Sequence, residues 1–172
     1  MRLFFALWPP PETARALGEW AREVQRQGSG RLTREDTIHL TLAFLGEADP
    51  ARAKAAAAHV HSPAFDFPID IACYWPHNRI VWAGPREIPQ ALADLVAQLH
   101  PALAAQSFAL ESRPFAAHVT LLRKASKPAS IPELPAVQWP VSEFLLVRSA
   151  LSPQGSRYET VERFPLSPRT AG

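Results

Sequence analysis

The apolar positions of this chain recur with helical spacing in three segments and with strand-like spacing between them. The helical spacing predicts helices over residues 11–27, 50–60 and 88–104. Pro10 and Pro11 open the first helix, and Asp49 followed by Pro50 caps the second. Runs of apolar and β-branched residues predict strands over residues 2–8, 37–45, 65–74, 79–83, 108–111, 116–123, 141–152 and 157–164.

These elements belong to one unit. Strands alternate with helices and no Pro-, Gly- and Ser-rich linker divides the chain, so we predict a single α+β domain over residues 1–172. Residues 124–140 form a Pro-rich stretch that is long for a loop inside a compact domain, and such loops are often functional. The tail from about residue 167 is expected to be frayed.

Composition narrows the class of protein. Of the 172 residues, 47% are hydrophobic and 20% are charged, so the chain has enough apolar surface to fold. Its one cysteine, Cys73, excludes an internal disulfide and a cysteine-rich zinc site. The apolar start ends at Pro9 and is too short for a signal-peptide core or a membrane span. We therefore expect a cytoplasmic protein with no membrane partner.

The net charge adds little to this picture. The 18 Lys and Arg residues exceed the 16 Asp and Glu residues by two, which gives +2 at pH 7. This balance permits a phosphate ligand, but it is too small to indicate a nucleic-acid-binding protein by itself. Function must be sought in individual residues.

One short pattern occurs twice in the chain. Residues 37–42 (TIHLTL) are echoed by residues 117–121 (AHVTL), and each copy lies on a predicted strand that follows a predicted helix. In a chain of this composition, His-x-Thr-Leu should occur by chance roughly 0.03 times. Two unrelated exposed histidines are therefore a poor explanation, and the repeat predicts two similar lobes.

The residue types in this repeat suit phosphodiester chemistry. Alternate residues of a strand point to the same face, so His39 projects together with Thr41. For the same reason His118 projects together with Thr120. If the two strands face each other, one imidazole can act as a base and the other as an acid, while the hydroxyls donate to phosphate oxygens. The pattern is symmetric and does not show which histidine takes which role.

Four blocks of the sequence resemble the 2H phosphoesterase superfamily, and in particular the bacterial RNA 2′,3′-cyclic phosphodiesterases, also called 2′-5′ RNA ligases. The blocks are an opening strand at residues 2–6 (RLFFA), a first motif at 39–46 (HLTLAFLG), a second motif at 113–123 (RPFAAHVTLLR) and a closing hairpin with residues 155–159 (GSRYE). The resemblance covers nearly the whole chain.

This resemblance implies a fold and an activity. The fold is a bilobal α+β domain in which two antiparallel sheets surround a central cleft, with helices outside and a pseudo-twofold relation between the lobes. The activity is hydrolysis of an RNA 2′,3′-cyclic phosphate end to a 2′-phosphate, with no metal and no other cofactor. The implied partner is RNA with such an end, including tRNA fragments. Nothing in the pattern requires more than a monomer.

The resemblance also implies roles for the motif residues. By analogy, His39 is the general acid that protonates the leaving 3′-oxygen, and His118 is the general base that activates water. Thr41 and Thr120 are implied to hold the non-bridging oxygens of the phosphate.

Two further residues, Phe44 and Arg123, stand five positions after the histidines. The resemblance implies that Phe44 stacks on the nucleobase and that Arg123 contacts phosphate, to which a guanidinium is well suited. Core packing is the alternative for Phe44. Strict alternation places position +5 on the face opposite the histidine, so both roles require a bulge or a strand end.

Other functions stay open at this stage. A module that binds RNA ends without turnover would keep the fold, although the presence of both histidines and both threonines argues against it. A phosphodiesterase for small cyclic nucleotides or 2′-5′ oligonucleotides would share the same site. Reversal of the reaction would join RNA ends by 2′-5′ ligation. His59 and His61 have no third ligand at suitable spacing, so we expect a solvated helix end there and no metal site.

Overall fold

A computed structural model of the chain describes residues 1–169. The strands in this range are β1 (Arg2–Leu7), β2 (Arg31–Leu32), β3 (Leu40–Glu47), β4 (Phe65–Asp66), β5 (Ile71–Trp75), β6 (Ile80–Gly84), β7 (Val119–Arg123), β8 (Pro140–Val141), β9 (Glu143–Ser152) and β10 (Gly155–Pro165). The α-helices are α1 (Pro11–Gln25), α2 (Pro50–Ala57) and α3 (Gln90–Ala105). A short 3-10 turn covers Glu35–Thr37.

Two four-stranded sheets form the body of the molecule. The first sheet has the strand order β10-β9-β1-β3, and the second sheet has the order β2-β7-β6-β5. All strand pairs within both sheets are antiparallel. A separate two-stranded ribbon pairs β4 with β8. The predicted α+β class with two antiparallel sheets is confirmed.

The continuous apolar run in β1 reflects burial on both faces of the first sheet. Phe5 and Leu7 point into the main core, while Phe4 and Ala6 join a smaller cluster on the opposite face with strand β9. Burial of each large apolar side chain contributes about 1.5–3 kcal/mol to stability. A strand that is covered on both sides therefore needs no polar alternation.

The helices lie outside the sheets, as predicted. The buried stripe of α1 includes Leu17, Trp20 and Val24, and this helix packs against β2 and β7. Helix α2 starts where the Asp49 carboxylate accepts a hydrogen bond from the Ala51 N–H, which confirms the predicted cap. Helix α3 packs against α2.

Several strand boundaries differ from the prediction. The predicted strand over 65–74 is two strands in different sheets, because residues 67–70 leave β4 before the chain enters β5. The predicted strand over 108–111 is irregular, since those residues pair with no neighbouring strand. Strands β3 and β7 begin at Leu40 and Val119, so both motif histidines stand immediately before their strands rather than on them.

Residues 167–169 contact the rest of the chain, and the fraying predicted from about residue 167 stays a prediction. The Ser167 N–H donates to the Ser62 carbonyl, and the Ala64 N–H donates to the Ser167 carbonyl. Arg169 forms an ion pair with Asp66. The remaining part of the predicted tail, residues 170–172, lies outside the described residues.

Candidate active site

A β-bulge in β3 brings Thr41 and Phe44 to one face of the first sheet. Ala6 pairs with Thr41, but the preceding residue of β1 pairs with Ala43, so Leu42 is an extra residue in the ladder. The extra residue shifts the alternation by one position. Phe44 therefore points to the same side as Thr41, which is the geometry that its implied role requires.

The same irregularity occurs in the second sheet. Trp82 pairs with Thr120 and Val81 pairs with Leu122, so Leu121 is the extra residue of β7. Thr120 and Arg123 consequently share a face. Both halves of the chain thus use one buried leucine to rotate the residue at position +5 towards its histidine.

The two rotated faces meet at a cleft of about 580 Å³ between the sheets. All six residues singled out from the sequence line this cleft: His39, Thr41, Phe44, His118, Thr120 and Arg123. The Phe44 side chain is 63% exposed, so it is not a core residue. The cleft lining comes from strands, the 3-10 turn and loops, and the α-helices do not contribute to it.

His39 is enclosed by aromatic side chains. The Trp8 ring stacks on its imidazole with 4.8 Å between ring centroids and 11° between planes, and the Tyr158 ring meets it edge-on at 5.5 Å. On the cleft side, Nε2 of His39 lies 3.0 Å from the Thr41 hydroxyl. Within this enclosure, Nε2 is the ring nitrogen that lies next to a hydroxyl of the cleft.

His118 has a looser aromatic environment. The Trp75 ring lies 4.8 Å from its imidazole at an interplanar angle of 57°, and the Trp82 ring lies 6.3 Å away. Close approach of the preceding backbone is permitted by Gly84, because a Cβ at that position would stand 2.8 Å from the Ala117 carbonyl oxygen. His118 is thereby held against the middle of the second sheet.

Backbone carbonyls determine the tautomer of both histidines. Nδ1 of His39 lies 2.6 Å from the Thr37 carbonyl oxygen, and Nδ1 of His118 lies 2.9 Å from that of Ala116. A carbonyl oxygen only accepts, so each Nδ1 carries a hydrogen and donates it. In the neutral imidazoles each Nε2 is then left with a lone pair, and the Thr41 hydroxyl donates to that of His39.

Both imidazoles are harder to protonate than a free histidine. The pKa of His39 is lowered from 6.5 to about 4, mainly by burial; the hydrogen bond to the Thr37 carbonyl opposes this shift, and the charges of Arg123 and His118 contribute to it. Burial also lowers the pKa of His118, as does Arg123, while the Ala116 carbonyl acts in the opposite direction. Both side chains are therefore neutral at pH 7 in the free protein.

The charge of the cleft favours an anion. Arg31, Arg34 and Arg123 all line it, and its lining contains no Asp or Glu side chain. Three guanidinium groups around two imidazoles suit a phosphate, which guanidinium binds through paired hydrogen bonds.

Four residues of this site were not identified from the sequence. Trp8 ends the first predicted strand, and nothing in the pattern links it to a histidine 31 positions later. Tyr158 lies in the closing-hairpin block, residues 155–159, but the resemblance of this block did not assign a role to Tyr158 itself. Arg34 stands five positions before His39, as Arg113 stands five positions before His118, but this match alone did not mark it as a cleft residue. Arg31 has no basic counterpart, since Leu110 stands eight positions before His118.

Metal-binding clusters and membrane-spanning helices are both absent from residues 1–169. Within residues 1–169, no three His, Cys, Asp or Glu side chains cluster closely enough to hold a metal ion. No helix in the described part of the chain is long and apolar enough to cross a membrane.

Two antiparallel sheets that meet at a cleft with one His-x-Thr pair on each side define the architecture of a two-histidine phosphoesterase. Comparison with known families agrees with this class. The family model described as LigT like Phosphoesterase matches the chain twice, over residues 7–82 and 83–158. The chain belongs to this family, and the double match confirms the predicted relation between its two halves.

Individual relatives cover nearly the whole chain. The RNA 2′,3′-cyclic phosphodiesterase of Escherichia coli strain K12 is 36% identical over 171 residues, which cover 96% of this chain and 97% of that protein. The protein of the same name from Thermus thermophilus is 32% identical over 179 residues, covering 96% and 90%.

Solved structures confirm the predicted bilobal fold. The crystal structure of E. coli LigT complexed with 3′-AMP superposes with a TM-score of 0.89 at 35% identity and covers 96% of this chain and 97% of that one. The crystal structure of TT0787 from T. thermophilus superposes with a TM-score of 0.82 at 28% identity and covers 99% and 100%.

Proposed function

We propose that this protein hydrolyses RNA 2′,3′-cyclic phosphate ends to 2′-phosphates. The observation that carries this proposal is one cleft in which two imidazoles present Nε2 beside two hydroxyls and three guanidinium groups. The E. coli and T. thermophilus relatives bear the name of this activity, and their similarity extends over nearly the full chain.

The two imidazoles divide the proton transfers. A water molecule attacks phosphorus while Nε2 of His118 accepts its proton. The bond between phosphorus and the 3′-oxygen breaks, and the protonated Nε2 of His39 delivers its proton to that oxygen. The products are a 2′-phosphate and a free 3′-hydroxyl. Each transfer by a positioned acid or base contributes about 10²–10⁴ in rate.

The substrate itself helps to protonate His39. With a pKa of about 4, this imidazole is neutral at pH 7 in the free protein. A cyclic phosphate carries one negative charge, and an opposite charge within about 4–6 Å favours the protonated imidazole. Binding therefore raises the pKa of the acid before the chemical step, which offsets the effect of burial.

The remaining residues hold the substrate. The Thr41 and Thr120 hydroxyls donate to the non-bridging oxygens of the phosphate, each bond to a charged group being worth about 1.5–3 kcal/mol. Arg123 contacts phosphate. The exposed Phe44 ring stacks on the terminal base.

The wider setting follows from the same site. Both motifs come from one chain and line one cleft, so a monomer consisting of one bilobal domain over residues 1–172 is sufficient for turnover. Broken tRNA halves are one source of the RNA ends, and the cytoplasm is the compartment in which we place the reaction. Size-exclusion chromatography with light scattering tests the monomer.

Metal-free turnover tests the proposed function. A short RNA with a 2′,3′-cyclic phosphate is incubated in EDTA with wild type, His39→Ala, His118→Ala and the control His59→Ala, an exposed histidine outside the cleft. We expect a 2′-phosphate from wild type and from the control, and at least a hundredfold loss in both cleft variants. Full activity without either cleft histidine would contradict the mechanism. Binding without turnover by wild type would favour an RNA-end-binding module.

A further inference from the structure

Two arginines face each other across the edge of the second sheet. Arg31 in β2 and Arg123 in β7 are direct register partners in an antiparallel ladder. Side chains at such positions share a face, and like charges directly opposite each other destabilise the sheet. Because both residues line the cleft, their repulsion is placed where an anion can relieve it.

Neither guanidinium is neutralised by the protein. Within residues 1–169, no carboxylate lies within ion-pair distance of Arg31 or Arg123. Arg34, on the same wall of the cleft, is different. Its guanidinium pairs with Asp36 at 3.4 Å and donates to the Ser156 carbonyl at 3.0 Å, so it ties the loop to the closing hairpin.

The two opposed arginines reach different parts of the cleft. The positive charge of Arg123 contributes to lowering the pKa of both His39 and His118, which places it near the reacting groups. The Arg31 guanidinium instead extends to the turn between β9 and β10. Its Nη2 lies 3.0 Å from the point where a Cβ on Gly155 would stand, and this glycine has φ of 110°.

We infer that Arg31 binds a second, non-reacting phosphate: the phosphodiester that joins the terminal nucleotide of the RNA to the nucleotide before it. Arg123 then stands between this phosphate and the reacting one. The inference rests on the proposed function and names its substrate class, which is an oligonucleotide end rather than a mononucleoside cyclic phosphate.

Three substrates isolate the second phosphate. They are adenosine 2′,3′-cyclic phosphate, the dinucleotide ApA with a 2′,3′-cyclic phosphate, and the same dinucleotide with an uncharged methylphosphonate linkage. Each is assayed with wild type, Arg31→Met and the control Arg148→Met, whose arginine lies outside the cleft and 3.8 Å from Glu159. Both substituted side chains are exposed, so both variants should fold, and circular dichroism checks this.

The charge of the phosphodiester linkage in the dinucleotide should determine whether Arg31 affects kcat/KM. We expect wild type and the control to prefer the natural dinucleotide over the mononucleoside by about tenfold or more in kcat/KM. Arg31→Met should lose this preference, because its loss of kcat/KM on the natural dinucleotide should exceed its loss on the mononucleoside by about tenfold. With the methylphosphonate, the loss caused by Arg31→Met should match its loss on the mononucleoside.

The outcomes separate this inference from the proposed function. An equal loss on all three substrates would mean that Arg31 serves the reacting phosphate or the fold, and would overturn the inference. An unchanged preference in Arg31→Met would also overturn it. If wild type turns over none of the substrates, the proposed function fails. Fluorescence anisotropy with the two labelled dinucleotides then decides the inference, which requires that only the charged linkage binds more weakly to Arg31→Met.

Discussion

The two histidines come from the same short motif but lie in unequal surroundings. His39 has a parallel Trp8 ring against one face, Tyr158 at its edge and the Thr41 hydroxyl on Nε2. His118 has a tilted Trp75, and within the described residues no hydrogen bond joins its imidazole to Thr120. The local repeat sets similar backbone geometry at the two sites, whereas the degree of enclosure differs.

The source of this difference lies outside the motifs. Trp8 immediately follows β1, and Tyr158 lies in β10, near the other end of the chain. Strands β1 and β10 both belong to the first sheet, which joins the two ends. A duplicated motif can therefore acquire two distinct acidities without any change within itself, because the dominant cause of each lowered pKa is burial by other segments.

The largest expected effect comes from removing each imidazole in turn. Each His→Ala variant should be about 10²–10⁴-fold slower. With His118→Ala, the residual kcat should fall as pH rises, because His39 must keep its proton. With His39→Ala, the residual kcat should fall as pH drops, because His118 must stay neutral. The opposite slopes would exchange the roles, and a wild-type rate that is flat across the histidine range would contradict two-histidine catalysis.

Acidification should destabilise the fold chiefly through His39. Its pKa is about 4 in the folded protein and 6.5 as a reference for the unfolded chain, so the unfolded chain binds more protons between these values. Stability is therefore full above about pH 6.5 and falls as pH decreases to about 4, by about 3 kcal/mol in total. Urea denaturation at pH 7 and pH 4.5 measures this loss. His39→Gln should remove more of it than His118→Gln, and equal effects would contradict the unequal enclosure.

The threonines should show a smaller version of the same inequality. Thr41→Val and Thr120→Val each remove one donor to phosphate, so kcat/KM should fall about 10- to 100-fold. Thr41→Val also removes the hydroxyl that holds Nε2 of His39, and its loss should be the larger of the two. Steady-state kinetics on one dinucleotide substrate compares them directly. A larger loss in Thr120→Val would show that the bond between Thr41 and His39 has no part in catalysis.

The smallest expected effect tests the aromatic enclosure itself. Trp8→Ala admits water to His39 and should raise its pKa by about one unit, since burial is the main cause of its lowering. Trp75→Ala should raise the pKa of His118 by less, because that ring lies at an angle and encloses the imidazole less completely. NMR titration of the imidazole signals measures both. Equal shifts would mean that stacking geometry is not what separates the two histidines.

Local sequence signals predicted the chemistry of the site better than they predicted its tertiary contacts. The repeated His-x-Thr pattern identified both sides of the cleft, because strand alternation is a property of neighbouring residues. Strand alternation also predicted that a bulge or strand end must lie between each histidine and position +5 if the two share a face. The structure has such bulges, and their extra residues are Leu42 and Leu121. The two-residue strand β2 was missed, since so short a strand has no periodicity of its own.

Features that depend on contacts between distant segments could not be predicted from the sequence. The apparent strand over 108–111 has suitable residue types but no neighbouring strand to pair with, and the sequence does not contain that information. The Trp8 and Tyr158 rings meet His39 only after the two ends of the chain pair within the first sheet. Arg31 became a candidate only when its register partner was known.

The carbonyl groups that hold the two imidazoles belong to the peptide backbone, two residues before each histidine. In many active sites a carboxylate side chain orients the histidine, and an alanine scan reveals that carboxylate. Here the orienting atoms survive most substitutions at positions 37 and 116, so such a scan would record those positions as tolerant. The catalytic tautomer is thus encoded in the path of the main chain. Replacing the amide that follows Thr37 or Ala116 with an ester, which weakens the carbonyl as an acceptor, would expose a dependence that side-chain mutagenesis does not detect.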